Sequence, residues 1–178
     1  MEELFLPIQT EDISDNVFKL IGKDWMLITA GQKDAYNMMT ASWGAAGVLW
    51  RKPVIFTFIR PQRYTYEFVE KNAHFTVSFF EEKYREILNI CGTTSGRDLN
   101  KMNIEGLNAL QTPSESIAFQ EARLILECRK IYFDDIDPAF FQAFDIEKDL
   151  SRKGLSSLLC RGDHSGLAKE NRLITNLF

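Results

Sequence analysis

Six residues, Val54-Ile-Phe-Thr-Phe-Ile59, constrain the fold more than any others in the chain. The run is apolar apart from one threonine and is made of β-branched and aromatic side chains, so it reads as a strand buried on both faces. Such a strand needs neighbours on each side. Trp25 to Ala30 supplies one, and Gly31-Gln-Lys-Asp34 carries turn chemistry before a further extended piece that begins at Tyr36. Ala73 to Phe79 is another, with Phe75, Val77 and Phe79 alternating against His74, Thr76 and Ser78. Strands return at Ala118–Phe119 and from Ala122 to Phe133, where Leu124, Leu126 and Cys128 share a face. Between them, Thr65 to Lys71 reads as a short helix. Glu81 to Ile90 reads as an amphipathic one, ended by the small-residue loop Cys91-Gly-Thr-Thr-Ser-Gly96, and Arg97 to Lys101 starts a further helical piece. Several antiparallel strands with two or three interposed helices define a barrel-like α+β domain.

Composition narrows the function classes. The chain has 178 residues, enough to bury a core without metal or disulfide staples, and its 45% hydrophobic content excludes a disordered chain. A net charge of −4 excludes the basic stripe of a nucleic-acid surface, so any anion site must be local. Cys91, Cys128 and Cys160 are widely spaced and odd in number, which is no disulfide framework. We expect a reducing cytoplasmic setting. Residues 1–10 carry Glu2 and Glu3 and lack a signal-peptide pattern, and no apolar run reaches membrane-spanning length. His74 and His164, 90 positions apart, give no metal-ligand spacing, and Asp134, Asp135 and Asp137 lack that of a calcium loop.

The chemistry concentrates in two segments. Tyr36-Asn-Met-Met-Thr-Ala-Ser-Trp43 places hydroxyls and an amide where a strand is normally apolar. Arg60-Pro-Gln-Arg63-Tyr-Thr65 follows the buried strand with cationic and hydroxyl groups. A phosphate needs several short donors to replace its lost water, and Thr40, Ser42, Arg60 and Thr65 form such a set. Asn37 offers a donor and an acceptor to a pyrimidine-like ring edge, or serves as a turn residue. Trp43 and Tyr64 are able to stack on an aromatic ring, or to pack in a core or an interface. Ser95 lies in the Gly92-to-Arg97 loop, which reads first as the end of the preceding helix and only second as a weaker phosphate or substrate clamp. No Gly-x-Gly-x-x-Gly follows a strand, so a nicotinamide dinucleotide would be a transient visitor and not a resident.

Taken together, Asn37 to Trp43, Pro53-Val54, Arg60 with Tyr64-Thr65, the Asn72-to-Phe79 strand, Gly92 with Ser95-Gly96, and Tyr132 to Pro138 resemble the flavin reductase-like family of FMN-binding split barrels, flavoredoxin-type proteins among them. The likeness covers roughly residues 15–150. It implies a mainly β fold with helical additions, a six-stranded antiparallel split β-barrel of the FMN-binding type, and a homodimer with FMN near the subunit interface. Thr40, Ser42, Arg60 and Thr65 would surround the phosphate and ribityl chain, and Asn37 would meet the pyrimidine edge. The backbone from Met39 through Ala41 to Trp43 would line the isoalloxazine, with Tyr64 and Ser95 completing the site. NADH or NADPH would be the transient hydride donor, and free flavin or a redox protein the acceptor. No side chain is implied as an acid–base catalyst. The alternative reading is an FMN-binding electron-transfer protein that does not oxidise nicotinamide efficiently.

The resemblance divides the chain into an FMN-binding split-barrel domain at residues 1–152 and an atypical tail at 153–178. The tail is neither periodic nor cleanly alternating. Relatives commonly continue here with a Lys-Asp-Tyr-His-Arg-like segment and a strand containing Gly-Glu-Ile. A codon choice exists in which a one-base shift recovers both, which is what a frameshifted gene would produce.

Overall fold

The computed structural model describes residues 5–137 and 140, together with the backbone of two strands at 156–161 and 173–176. The first elements are β1 (Pro7–Ile8), a single helical turn α1 (Val17–Lys19) that widens into a π-turn over Leu20–Asp24, β2 (Met26–Gln32), β3 (Ala35–Ala41), β4 (Gly44–Leu49) and β5 (Lys52–Ile59). Next come α2 (Tyr64–Lys71), β6 (His74–Phe79), α3 (Arg85–Thr93) and a single 3-10 turn at Lys101–Asn103. The series closes with β7 (Ala109–Gln111), β8 (Ile117–Phe119), β9 (Leu124–Asp135), β10 (Ser156–Arg161) and β11 (Leu173–Asn176).

The architecture is a mainly β split barrel, as anticipated, but its main sheet does not have six strands. Among the described residues the main sheet has nine strands: the path β3-β2-β6-β9-β10-β5-β4, with β11 beside β9 and β1 beside β11. Pairing along the path is antiparallel, whereas β11 runs parallel to β9 and to β1. A separate two-stranded sheet joins β7 to β8. β4 escaped the sequence reading because Gly44-Ala-Ala-Gly-Val-Leu49 is small and largely exposed, so it shows no apolar alternation. β10 escaped it because its place is set by pairing, to β5 on one side and β9 on the other. The remainder of the tail expected to be atypical lies outside the described residues.

β2 explains how one domain carries two cores. Met26, Ile28 and Ala30 point into the barrel with Ile55, Phe75 and Leu126, while Leu27 points to the other face, among Met38, Leu88 and Phe119. The second face is roofed by α3 and the β7–β8 hairpin, so every residue of β2 from Met26 to Gly31 is buried. α2 buries Thr65 and Val69, four positions apart on one helical face. α3 buries Leu88 and Cys91 and runs one turn beyond the expected end, to Thr93. That extra turn carries Gly92 to β3, where a Cβ on Gly92 would sit 3.3 Å from that of Thr40.

Candidate functional site

Four chain segments meet at the open side of β3. They are the end of β3 with Ser42 and Trp43, the turn from Arg60 to Arg63 that leaves β5, the start of α2, and the loop from Thr93 to Gly96 with Lys101 behind it. They enclose two adjoining cavities. The larger, about 530 Å³, is lined by Met39, Thr40, Ala41, Ser42, Trp43 and Arg60, with Phe58, Gln62, Arg63 and Gly92. The smaller, about 170 Å³, is lined by Asn37, Tyr64, Thr65 and Ser95, with Thr93, Thr94, Gly96 and Lys101. Met39, Gln62 and Arg63 belong to both walls and make them one cleft. All ten residues singled out in the sequence therefore line this cleft.

Their roles within it differ. Thr40 Oγ donates to the carbonyl of Leu88 at 2.6 Å, so its proton is already used in tying β3 to α3. Ser42 is exposed at the mouth. Asn37 Nδ2 donates to Thr65 Oγ at 2.8 Å, and Thr65 is fully buried. Thr65 thus lines the smaller cavity, whereas Thr40, Ser42 and Arg60 line the larger one, and its hydroxyl oxygen holds the Asn37 amide. Gly96 is required beside it, since a Cβ there would lie 2.1 Å from Asn37 Oδ1. Trp43, 48% exposed, carries the Arg60 guanidinium over its ring at 5.1 Å, and Tyr64 carries that of Arg97 at 4.7 Å. Arg97 also pairs with Glu67, and its backbone N–H donates to Ser95 Oγ at 3.1 Å.

Two cations of this cleft were absent from the sequence-derived site. Arg63 Nη2 donates to the Gly92 carbonyl at 2.6 Å, and its proton affinity is lowered first by burial and then by the neighbouring Arg60. Lys101, only 4% exposed, donates from Nζ to the Met38 carbonyl at 2.9 Å and to the Cys91 carbonyl at 2.7 Å. Arg63 was legible as part of the polar cluster after β5, whereas Lys101, in a polar loop, carries no sequence sign of burial. Neither cavity wall contains an Asp or a Glu among the described residues. On a chain of net charge −4, that concentration of arginine, lysine, hydroxyl and amide groups makes a local anion site of a size suited to a cofactor.

The donor set fits a phosphorylated aromatic cofactor. The Arg60 guanidinium lies over the Trp43 ring and makes no hydrogen bond or ion pair among the described residues, which leaves the N–H groups of its planar fork for a phosphate. The fixed Asn37 amide suits a ring edge of alternating carbonyl and N–H groups. A third cavity, about 420 Å³, lies elsewhere, between the N-terminal segment, the β4–β5 hairpin and the barrel interior. Its wall is mainly aliphatic, including Ile13, Leu20, Ile55 and Leu126, and it offers no comparable donor cluster. Among the described residues no helix is long and apolar enough to cross a membrane.

Comparison with known proteins points the same way. Residues 19–135 match the family model described as a flavin reductase like domain. No curated protein matches the chain. Among solved structures, flavoredoxin from Methanosarcina acetivorans is 19% identical, with a TM-score of 0.62 over 77% of this chain and 64% of that one. This chain therefore spans less than two-thirds of the flavoredoxin's length. An FMN-binding protein from Thermus thermophilus, solved with bound p-hydroxybenzaldehyde, is 14% identical with a TM-score of 0.65, over 82% of this chain and 71% of that one. An NADH:FAD oxidoreductase from Streptomyces globisporus is 11% identical with a TM-score of 0.59, over 84% and 83%. At these identities the likeness to the solved structures is one of fold.

Proposed function

The chain belongs to the flavin reductase-like domain family, and on that premise we propose that its two joined cavities hold FMN and that NADH or NADPH delivers hydride to it. The observation that carries the reading is the carboxylate-free wall in which Arg60, Arg63 and Ser42 face the larger cavity while the fixed Asn37 amide faces the smaller. Arg60 and Ser42 bind the phosphate, Arg60 as a charged fork and Ser42 as a hydroxyl donor. Asn37, held by Thr65 and hemmed in by Gly96, orients the pyrimidine edge. Met39 and the backbone through Trp43 flank the ring. When bound, the flavin supplies the hydride-accepting and electron-donating chemistry, while the protein supplies orientation and charge. Thr40, its proton committed to Leu88, acts on β3 by holding it against α3.

The test is reconstitution followed by reduction. Purified protein should bind FMN in a one-to-one complex with a flavin spectrum, and the anaerobic addition of NADH or NADPH should bleach that spectrum. A complex that forms but stays oxidised with both nucleotides would make the chain an electron carrier without nicotinamide oxidation. Failure to bind FMN would end the reading.

A further inference from the structure

We infer that Lys101 contacts the ring of the bound flavin as a positive group and stabilises the negative charge that the ring acquires on reduction. The inference rests on the FMN reading above and adds to it a residue that sets the cofactor's potential. The geometry behind it is a buried cation without a counter-ion. Lys101 lies in the wall of the smaller cavity with two of its three N–H donors on the carbonyls of Met38 and Cys91, and no described carboxylate pairs with it. Burying a charge in this way is costly unless something negative arrives.

The groups around it do not supply that charge. The Cys91 thiol of α3 is pushed up to about 11 by burial, which keeps it neutral near pH 7. The Tyr36 phenol of β3, also raised by burial, stays protonated. Arg63, from the turn before α2, is a second cation. Burial, the first cause, lowers Lys101 itself to about 8, so at neutral pH most of it is still charged and facing the cavity. Of the two negative parts of FMN, the ring is the better partner. Lys101 shares its cavity with the Asn37 amide, whereas Arg60 and Ser42 stand at the larger one.

The experiment compares wild type with Lys101→Met and Lys101→Arg, titrated with FMN and with riboflavin, and measures the midpoint potential of bound FMN by equilibration with reference dyes. Lys101→Met should weaken binding of the reduced flavin at least tenfold relative to the oxidised form, which for a two-electron couple is a drop of about 30 mV, and Lys101→Arg should restore most of it. An unchanged potential overturns the inference. So does a loss of affinity confined to FMN with riboflavin spared, because that would put Lys101 on the phosphate. If Lys101→Met does not fold, the wild type decides: its potential should show an inflection against pH that Lys101→Arg lacks, and a plot without that inflection overturns the inference. A wild-type protein that binds neither flavin would instead refute the FMN reading itself.

Discussion

Thr40, Arg60 and Lys101 stand at one cleft, yet physical chemistry assigns each a different task. The Arg60 guanidinium lies over the Trp43 ring with no hydrogen bond or ion pair among the described residues, so Arg60→Ala should weaken FMN binding by about 1.5–3 kcal/mol, the range for a charge-assisted hydrogen bond, and leave riboflavin affinity unchanged. Quenching of flavin fluorescence measures both, and an equal loss for the two ligands would remove Arg60 from the phosphate. Lys101 leads to a pH prediction for the cofactor-free protein. Its folded-state proton affinity, near 8, lies below the ordinary 10.5, so between those values the unfolded chain binds more protons and stability rises with pH. The slope is at most about 1.4 kcal/mol per pH unit. The buried thiols Cys91 and Cys128, raised above 9.0, act in the opposite sense and remove stability as pH climbs past that point. Urea unfolding of wild type should therefore show a gain between pH 8 and 9 that is absent in Lys101→Met; a flat wild-type profile would contradict it. Asn37, Thr40, Ser42 and Arg60 were legible in the sequence because polar groups at strand ends break the apolar pattern. The division of labour among them was not, since it depends on α3 lying against β3 and on α2 presenting Thr65 to Asn37.

The β4–β5 hairpin shows at element scale why one strand could not be read. Leu49 pairs with Lys52 across a two-residue loop in which Trp50 and Arg51 both have positive φ, 51° and 61°. That is the backbone of a type I′ turn, whose usual sequence signal is Asn-Gly. Trp-Arg gives no such signal, and each L-residue in the left-handed region costs about 1 kcal/mol. Arg51→Gly should therefore stabilise the protein by about 1 kcal/mol and raise its melting temperature by about 2–4 °C. A lower melting temperature would mean that the Arg51 side chain makes contacts worth more than the strain. By contrast β2, β5, β6 and α2 were legible, because burial on one or both faces imprints a period or an unbroken apolar run that needs no knowledge of partners.

For the whole molecule, antiparallel strands in a barrel-like α+β domain could be anticipated from such runs and the mainly β split barrel from the family resemblance, whereas the strand number could be had from neither. Nine strands share the main sheet among the described residues because β1, β4, β10 and β11 join it through pairing and not through an apolar pattern of their own. The order ends at β4, and beside that edge Val48 is 76% and Trp50 66% exposed. An apolar sheet edge is a site for association. We propose that the chain forms a homodimer; sedimentation at concentrations where FMN binds should give twice the monomer mass, and a monomer holding FMN would contradict this. The proposed function requires one ligand to occupy both cavities, and a crystal structure of the FMN complex tests that most directly. It should place the phosphate within hydrogen-bond reach of Arg60 and Ser42 and the pyrimidine edge beside Asn37. FMN seated instead in the aliphatic cavity lined by Leu20 and Ile55, with the cleft of Arg60 untouched, would contradict it.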